Sequence, residues 1–119
     1  MKLAVSARGP KLEDPVDPRF GRAKWIIIYD DETGNFEPLD NAVNYNAAEG
    51  AGIKAAELVV NKHCQVVITG YLGPKAFRVL SAADIKGYVN AKGSVREAIE
   101  AYENDQLSET SEPTVKGHW

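Results

Sequence analysis

The sequence predicts an α/β fold, a mixed five-stranded sheet of order 3-2-1-4-5 with three helices on its faces. Three observations lead there. Short apolar runs rich in β-branched residues recur along the chain, segments with helical spacing separate the later runs, and turns rich in Gly and Pro punctuate them.

Leu3 to Ser6 reads as a short buried strand, and Lys24 to Asp30 holds the continuous run Trp25-Ile26-Ile27-Ile28-Tyr29, which suits an interior strand. Between them, Gly9, Pro10, Pro15, Pro18 and Gly21 deny regular hydrogen bonding over Arg8 to Arg22 and predict a long ordered loop. Loops of that length are often functional. Asp30 to Asn35 supplies a turn into Phe36-Glu37-Pro38-Leu39, so these runs form an antiparallel hairpin with Pro38 at a sheet edge. Ile53, Ala56, Val59 and Val60 follow helical spacing from Ala51 to Lys62, with Gly50 and Gly52 marking the start. Gln65 to Thr69 is the fourth strand, reached through that helix and therefore parallel to the first by a right-handed crossover.

Gly70-Tyr71-Leu72-Gly73-Pro74 then stops the strand and opens a second helix. Pro74 stands at the first helical position, where its missing N–H costs nothing, and Ala76, Phe77 and Leu80 form the buried face. Ile85 to Val89 is the fifth strand. Ser94 and Glu97 form a capping box for a third helix, which turns Val95, Ala98, Ile99 and Tyr102 inward and ends near Asp105. The expected organisation is one domain over residues 1–105 and a flexible acidic tail over 106–119, including His118 and Trp119.

Composition narrows function. Seventeen acidic against fourteen Lys and Arg residues give a net charge of −3, which disfavours general attraction to nucleic acid or anionic lipid. Met1 to Ser6 is too short an apolar run for a signal peptide and nothing later has membrane-spanning length, so a cytoplasmic protein is expected. One cysteine, Cys64, excludes an intrachain disulfide and cannot alone supply the thiolates of a conventional iron–sulfur or zinc site.

The carboxyl ends of the first and fourth strands bring Ser6 to Gly9 beside Thr69 to Gly73, the place where parallel sheets bind ligands. Glycines there allow backbone N–H groups to approach a ligand, and the helix start at Pro74 favours an anion. Residues 8–24 add five basic side chains, Arg8, Lys11, Arg19, Arg22 and Lys24, against Glu13, Asp14 and Asp17. His63 and Cys64 fall at the opposite end of the sheet. Cys64 reads as a small buried thiol, and Asp30 and Asp31 as solvated turn carboxylates. No Walker A, GxSxG, HExxH or CxxC pattern occurs.

Three separated strings, Asp17-Pro18-Arg19-Phe20-Gly21-Arg22-Ala23, Gly50-Ala51-Gly52-Ile53 and Thr69 to Phe77, with Ser94 to Ile99 behind them, resemble the nitrogenase iron-molybdenum cofactor biosynthesis family. The resemblance covers residues 1–105. It implies a ribonuclease-H-like fold and a non-enzymatic role in binding or carrying cofactor precursors. One branch, the orange proteins, holds a mixed molybdenum-copper sulfide cluster, and the stand-alone length is similar to that branch. The expected cargo is thus a molybdenum-copper sulfide cluster, with an iron-molybdenum cofactor precursor as the alternative. A pre-assembled cluster brings its own sulfide and needs only positive charge, hydrogen bonds and an apolar lining. The expected binding residues are Arg8, Phe20, Gly21, Arg22, Gly50, Gly52, Thr69, Gly70, Tyr71, Leu72, Gly73 and Pro74, with Phe20, Tyr71 and Leu72 as lining. Two other classes compete: a small metal-dependent hydrolase or nuclease on the same fold, and a metal-free module that binds a partner such as an ATPase or a cluster-assembly protein.

Overall fold

In the computed structural model, which describes residues 1–42 and 50–114, the apolar run at the start of the chain becomes the middle of the sheet. β1 (Lys2–Ala7) turns Leu3, Val5 and Ala7 to one face and Ala4 and Ser6 to the other, and all five are buried. A strand covered on both faces needs apolar residues at consecutive positions, so its sequence does not alternate. β2 (Trp25–Asp30) pairs antiparallel with β1, and β3 (Phe36–Asp40) pairs antiparallel with β2 on the outer side. The hairpin turn closes through Gly34, whose N–H donates to the Asp30 carbonyl at 2.8 Å.

α1 (Ala51–Asn61) leads into β4 (Val66–Ile68), which lies parallel to β1. α2 (Pro74–Ala82) leads into β5 (Lys86–Val89), parallel to β4, and α3 (Val95–Glu103) follows. α1 and α2 cover Ala4, Ile26, Ile28 and Val67, while α3 with Leu12 and Val16 covers Leu3, Val5, Ile27, Val66 and Ile68. The capping box at α3 forms as expected: the Glu97 N–H donates to Ser94 Oγ at 3.1 Å, and the Ser94 N–H donates to Glu97 Oε1 at 2.9 Å.

One expectation needs correction. The sheet has six strands, in the order β3-β2-β1-β4-β5-β6, and not five. β6 (Ser108–Thr110) comes from the segment expected to fray and pairs antiparallel with β5, Ser108 opposite Val89 and Thr110 opposite Gly87. Its three polar residues carry no apolar alternation. Backbone pairing to the open edge of β5 holds it, together with Leu107, which packs partly buried on the α3 side. His118 and Trp119 lie outside the described residues. No described helix is long and apolar enough to cross a membrane.

Candidate anion-binding site

The strand order reverses between β1 and β4, so the crevice expected to receive a ligand lies at their carboxyl ends. The chain fills that crevice itself. Ser6 Oγ donates to the Asp17 carbonyl at 2.7 Å and lies 2.7 Å from Thr69 Oγ1, with both hydroxyls fully buried. The Asp17 N–H returns a bond to the Ser6 carbonyl at 3.0 Å, and the Tyr71 N–H donates to the Pro18 carbonyl at 2.8 Å. Gly70 is glycine because of this plug. A Cβ there would stand 2.6 Å from Pro18 Cα, so the residue makes room for the chain's own loop. The glycine expected to admit a ligand admits Pro18.

Beside the plug, a single 3-10 turn (Phe20–Arg22) packs on the start of α1. Phe20 anchors the turn in the core at 1% exposure. Gly21 meets the helix directly, since a Cβ on it would lie 2.8 Å from both Cα and N of Gly52. Gly50 provides the N-cap of α1 with φ +75°, and Gly73 that of α2. Neither cap residue contributes a side-chain hydrogen bond, and neither first turn contains an acid. α3, by contrast, carries both Ser94 and Glu97. Among the described residues, no cap side chain or first-turn acid offsets the positive partial charge of the N–H groups that open α1 and α2.

The loop's carboxylates are already engaged. Glu13 Oε2 accepts from Arg96 Nε at 3.0 Å and Nη2 at 2.8 Å, and this guanidinium holds the Glu13 carboxyl below its ordinary range. Asp14 Oδ2 accepts the Lys11 N–H at 2.9 Å. Buried Asp17 accepts the Arg19 N–H at 3.0 Å, with Arg19 Nε at 3.5 Å. Arg8 is exposed and makes no side-chain hydrogen bond or ion pair among the described residues, while Arg22 is half-buried on the 3-10 turn. Among the described residues, Arg8 leaves a positive charge at the edge where the helix starts converge.

The structure thus brings Arg8, Gly21, Arg22, Gly50, Gly52 and the Thr69–Pro74 turn to one end of the sheet. Phe20 and Leu72 reach the same end but turn their side chains into the core, Leu72 at 0% exposure, whereas Tyr71 is 41% exposed. A groove of about 270 Å³ adjoins the plug, lined by Val16, Pro18, Gly70, Tyr71, Asn90, Ala91 and Lys92. Sequence reasoning missed Asn90 to Lys92. They leave the carboxyl end of β5, a parallel strand like β4, with Asn90 at φ +66°. The same rule that singled out residues 69–73 identifies them.

Elsewhere, Cys64 is buried next to β4, and burial pushes its thiol up to about 11. Asp30 Oδ1 accepts the Glu32 N–H at 2.9 Å inside the hairpin turn, and Asp31 accepts from the Met1 amine at 2.8 Å. Among the described residues, no group of three or more His, Cys, Asp or Glu side chains is arranged to hold a metal ion.

Fold and edge together define a class: a small α/β domain with a basic, glycine-built surface at the carboxyl ends of its parallel strands. The chain belongs to the dinitrogenase iron-molybdenum cofactor family, whose model matches residues 1–105. It is similar to the apo form of the orange protein from Desulfovibrio gigas, at 38% identity over 96% of each chain and a TM-score of 0.92. A Thermotoga protein of the DUF35 family, described as NifB-like, shares 36% identity over 98% of each chain at a TM-score of 0.85. At 18% identity and a TM-score of 0.71, a Methanocaldococcus jannaschii protein described as a dinitrogenase candidate shares the fold, over 95% of this chain and 97% of its own. No curated protein matches the chain.

Proposed function

We propose that this protein binds and carries a pre-assembled, anionic metal–sulfur cluster, held non-covalently and without catalysis. The observation that carries this reading is the convergence of two helix starts, each with a glycine N-cap and no acid in its first turn, beside a loop whose carboxylates are all engaged. A thiometallate presents sulfide to its surroundings. It therefore requires N–H donors and cations around it and no protein thiolate, which agrees with a lone cysteine buried away from this edge.

The site consists of Arg8, Arg22 and the backbone of Gly21, Gly50, Gly52, Gly70 and Gly73, with exposed Tyr71 as apolar wall, Lys92 as an added cation, and Thr69 and Pro74 fixing the turn between them. Phe20 and Leu72 act from behind by fixing the turns that carry these groups. Similarity to the orange protein supports a molybdenum-copper sulfide cluster as cargo, with an iron-molybdenum cofactor precursor second. The 3-2-1-4-5 order within the sheet supports a ribonuclease-H-like classification. A cytoplasmic location, and a cluster-assembly protein or ATPase as the donor or acceptor of the cargo, complete the proposal.

Purified protein titrated with tetrathiomolybdate and copper(I) should develop charge-transfer absorbance at a fixed metal stoichiometry. Loss of one charge-assisted partner in Arg8→Ala, Arg22→Ala or Lys92→Ala should weaken retention about tenfold. Failure to take up any thiometallate would sink the proposal. Unchanged retention in all three variants would move the site elsewhere.

A further inference from the structure

The turn from β4 to α2 is held from two sides by segments far apart in the chain. On the inner side, the Tyr71 N–H reaches the Pro18 carbonyl. On the outer side, the Leu72 N–H donates to Thr114 Oγ1 at 2.9 Å, and the Leu72 carbonyl accepts the Thr114 N–H, also at 2.9 Å. The backbone donor and acceptor of one residue are both satisfied by one threonine. The Leu72 side chain is locked as well, fully buried against Gly87 of β5.

Thr114 lies four residues beyond β6 and nine beyond the family match, which ends at residue 105. Covering the open edge of β5 explains why residues 108–110 pair with it. It does not explain the second attachment, made by a later residue to a different segment. Leu72 is followed by Gly73 and Pro74, the N-cap and first residue of α2. Pro74 has a fixed φ, so the direction in which α2 presents its opening N–H groups follows the backbone at Leu72 and Gly73.

We propose that residues 106–114 form a strap in which Thr114 is a positioning residue, holding the Tyr71–Pro74 turn and the start of α2 in the geometry that retains the cargo. This rests on the cluster-binding reading. Thr114 acts through Leu72 and touches no cargo. Coupling of this kind is reciprocal, so bound cargo also tightens the strap.

Amide hydrogen exchange and cargo release test it together. In the cargo-free protein, Thr114→Val removes the hydroxyl acceptor while keeping shape and N–H, and the Leu72 amide should exchange about fivefold faster. Thr114→Ser should restore protection. After loading with tetrathiomolybdate and copper(I), Thr114→Val should release the metals to a chelator about fivefold faster than wild type, under conditions where both proteins are fully folded. Thr114→Ser should match wild type. Loading should also slow exchange of the Thr114 amide. A purely structural threonine would lower the unfolding midpoint and leave release from the folded protein unchanged, and that result overturns the inference. Unchanged Leu72 exchange in Thr114→Val overturns it too, whatever the cargo does. If wild type takes up no thiometallate, the binding reading fails and this inference with it. Normal uptake with unaltered release removes this inference alone.

Discussion

Replacing Gly21 by alanine drives a methyl group into the start of α1. The new carbon would stand 2.8 Å from Gly52 Cα and N and 3.2 Å from the Ala51 carbonyl carbon, where carbon contacts prefer about 3.5–4.0 Å. Both walls are backbone, so no side chain can swing aside. The turn cannot rotate away either, because neighbouring Phe20 is buried at 1% exposure. Overpacking costs about 1–3 kcal/mol, and rigid walls place this case near the upper value. With a urea slope of about 1.5 kcal/mol/M, the midpoint falls by about 2 M. If relief comes by separating the 3-10 turn from α1 by about 1 Å, Arg22 moves off the helix start and thiometallate affinity falls about tenfold. Gly34→Ala is the control. Its φ of +78° strains an alanine by about 1 kcal/mol, but nothing lies within 4 Å and the hairpin is at the other end of the sheet, so affinity should hold. Urea unfolding and cargo titration of the two variants in parallel decide the matter. A Gly21→Ala protein with a wild-type midpoint, or one that is destabilised yet binds cargo as Gly34→Ala does, would refute the idea that this contact builds the site.

Three further outcomes are expected. Ser6→Ala strips the buried donor from the Asp17 carbonyl and a partner from Thr69, and should cost about 1–3 kcal/mol in urea unfolding. Ser94→Ala removes one half of the capping box and should cost about 1 kcal/mol, with cargo binding unaffected. The Cys64 thiol, raised to about 11, stays protonated in the folded protein while the unfolded chain ionises near 8.5–9. The unfolded state therefore binds fewer protons between these values, and stability falls as pH rises through that window, by up to about 2.7 kcal/mol. Cys64→Ala should lack that component, so the stability difference between the two proteins should change from pH 8.5 to 11 and be constant from pH 6 to 8.

Most of the sheet was legible because its central strands are buried on both faces, a condition that writes itself as continuous apolar sequence in Leu3–Val5, Ile26–Ile28 and Val66–Ile68. The capping box was legible because its two side chains act on each other at fixed spacing. β6 was not, since Ser108-Glu109-Thr110 has no pattern of its own and owes its conformation to an edge built elsewhere. At the site, glycine positions were readable but their purpose was not. Gly70 answers Pro18, fifty-two residues earlier, and no local pattern reports such a meeting. Phe20 and Leu72 present the same ambiguity, because an apolar residue beside a turn can face a ligand or the core, and the direction is set by the 3-10 geometry and by Gly87.

The plug of Asp17 and Pro18 has a consequence for the way any ligand comes and goes. In open parallel sheets the crevice at the strand-order reversal receives the ligand at the carboxyl ends of the strands. Here two hydroxyls and two backbone carbonyls have sealed that opening. A group bound at the proposed site would rest outside the seal, so loaded and empty protein would share one core, and a second macromolecule could take the group from the surface without loosening a strand.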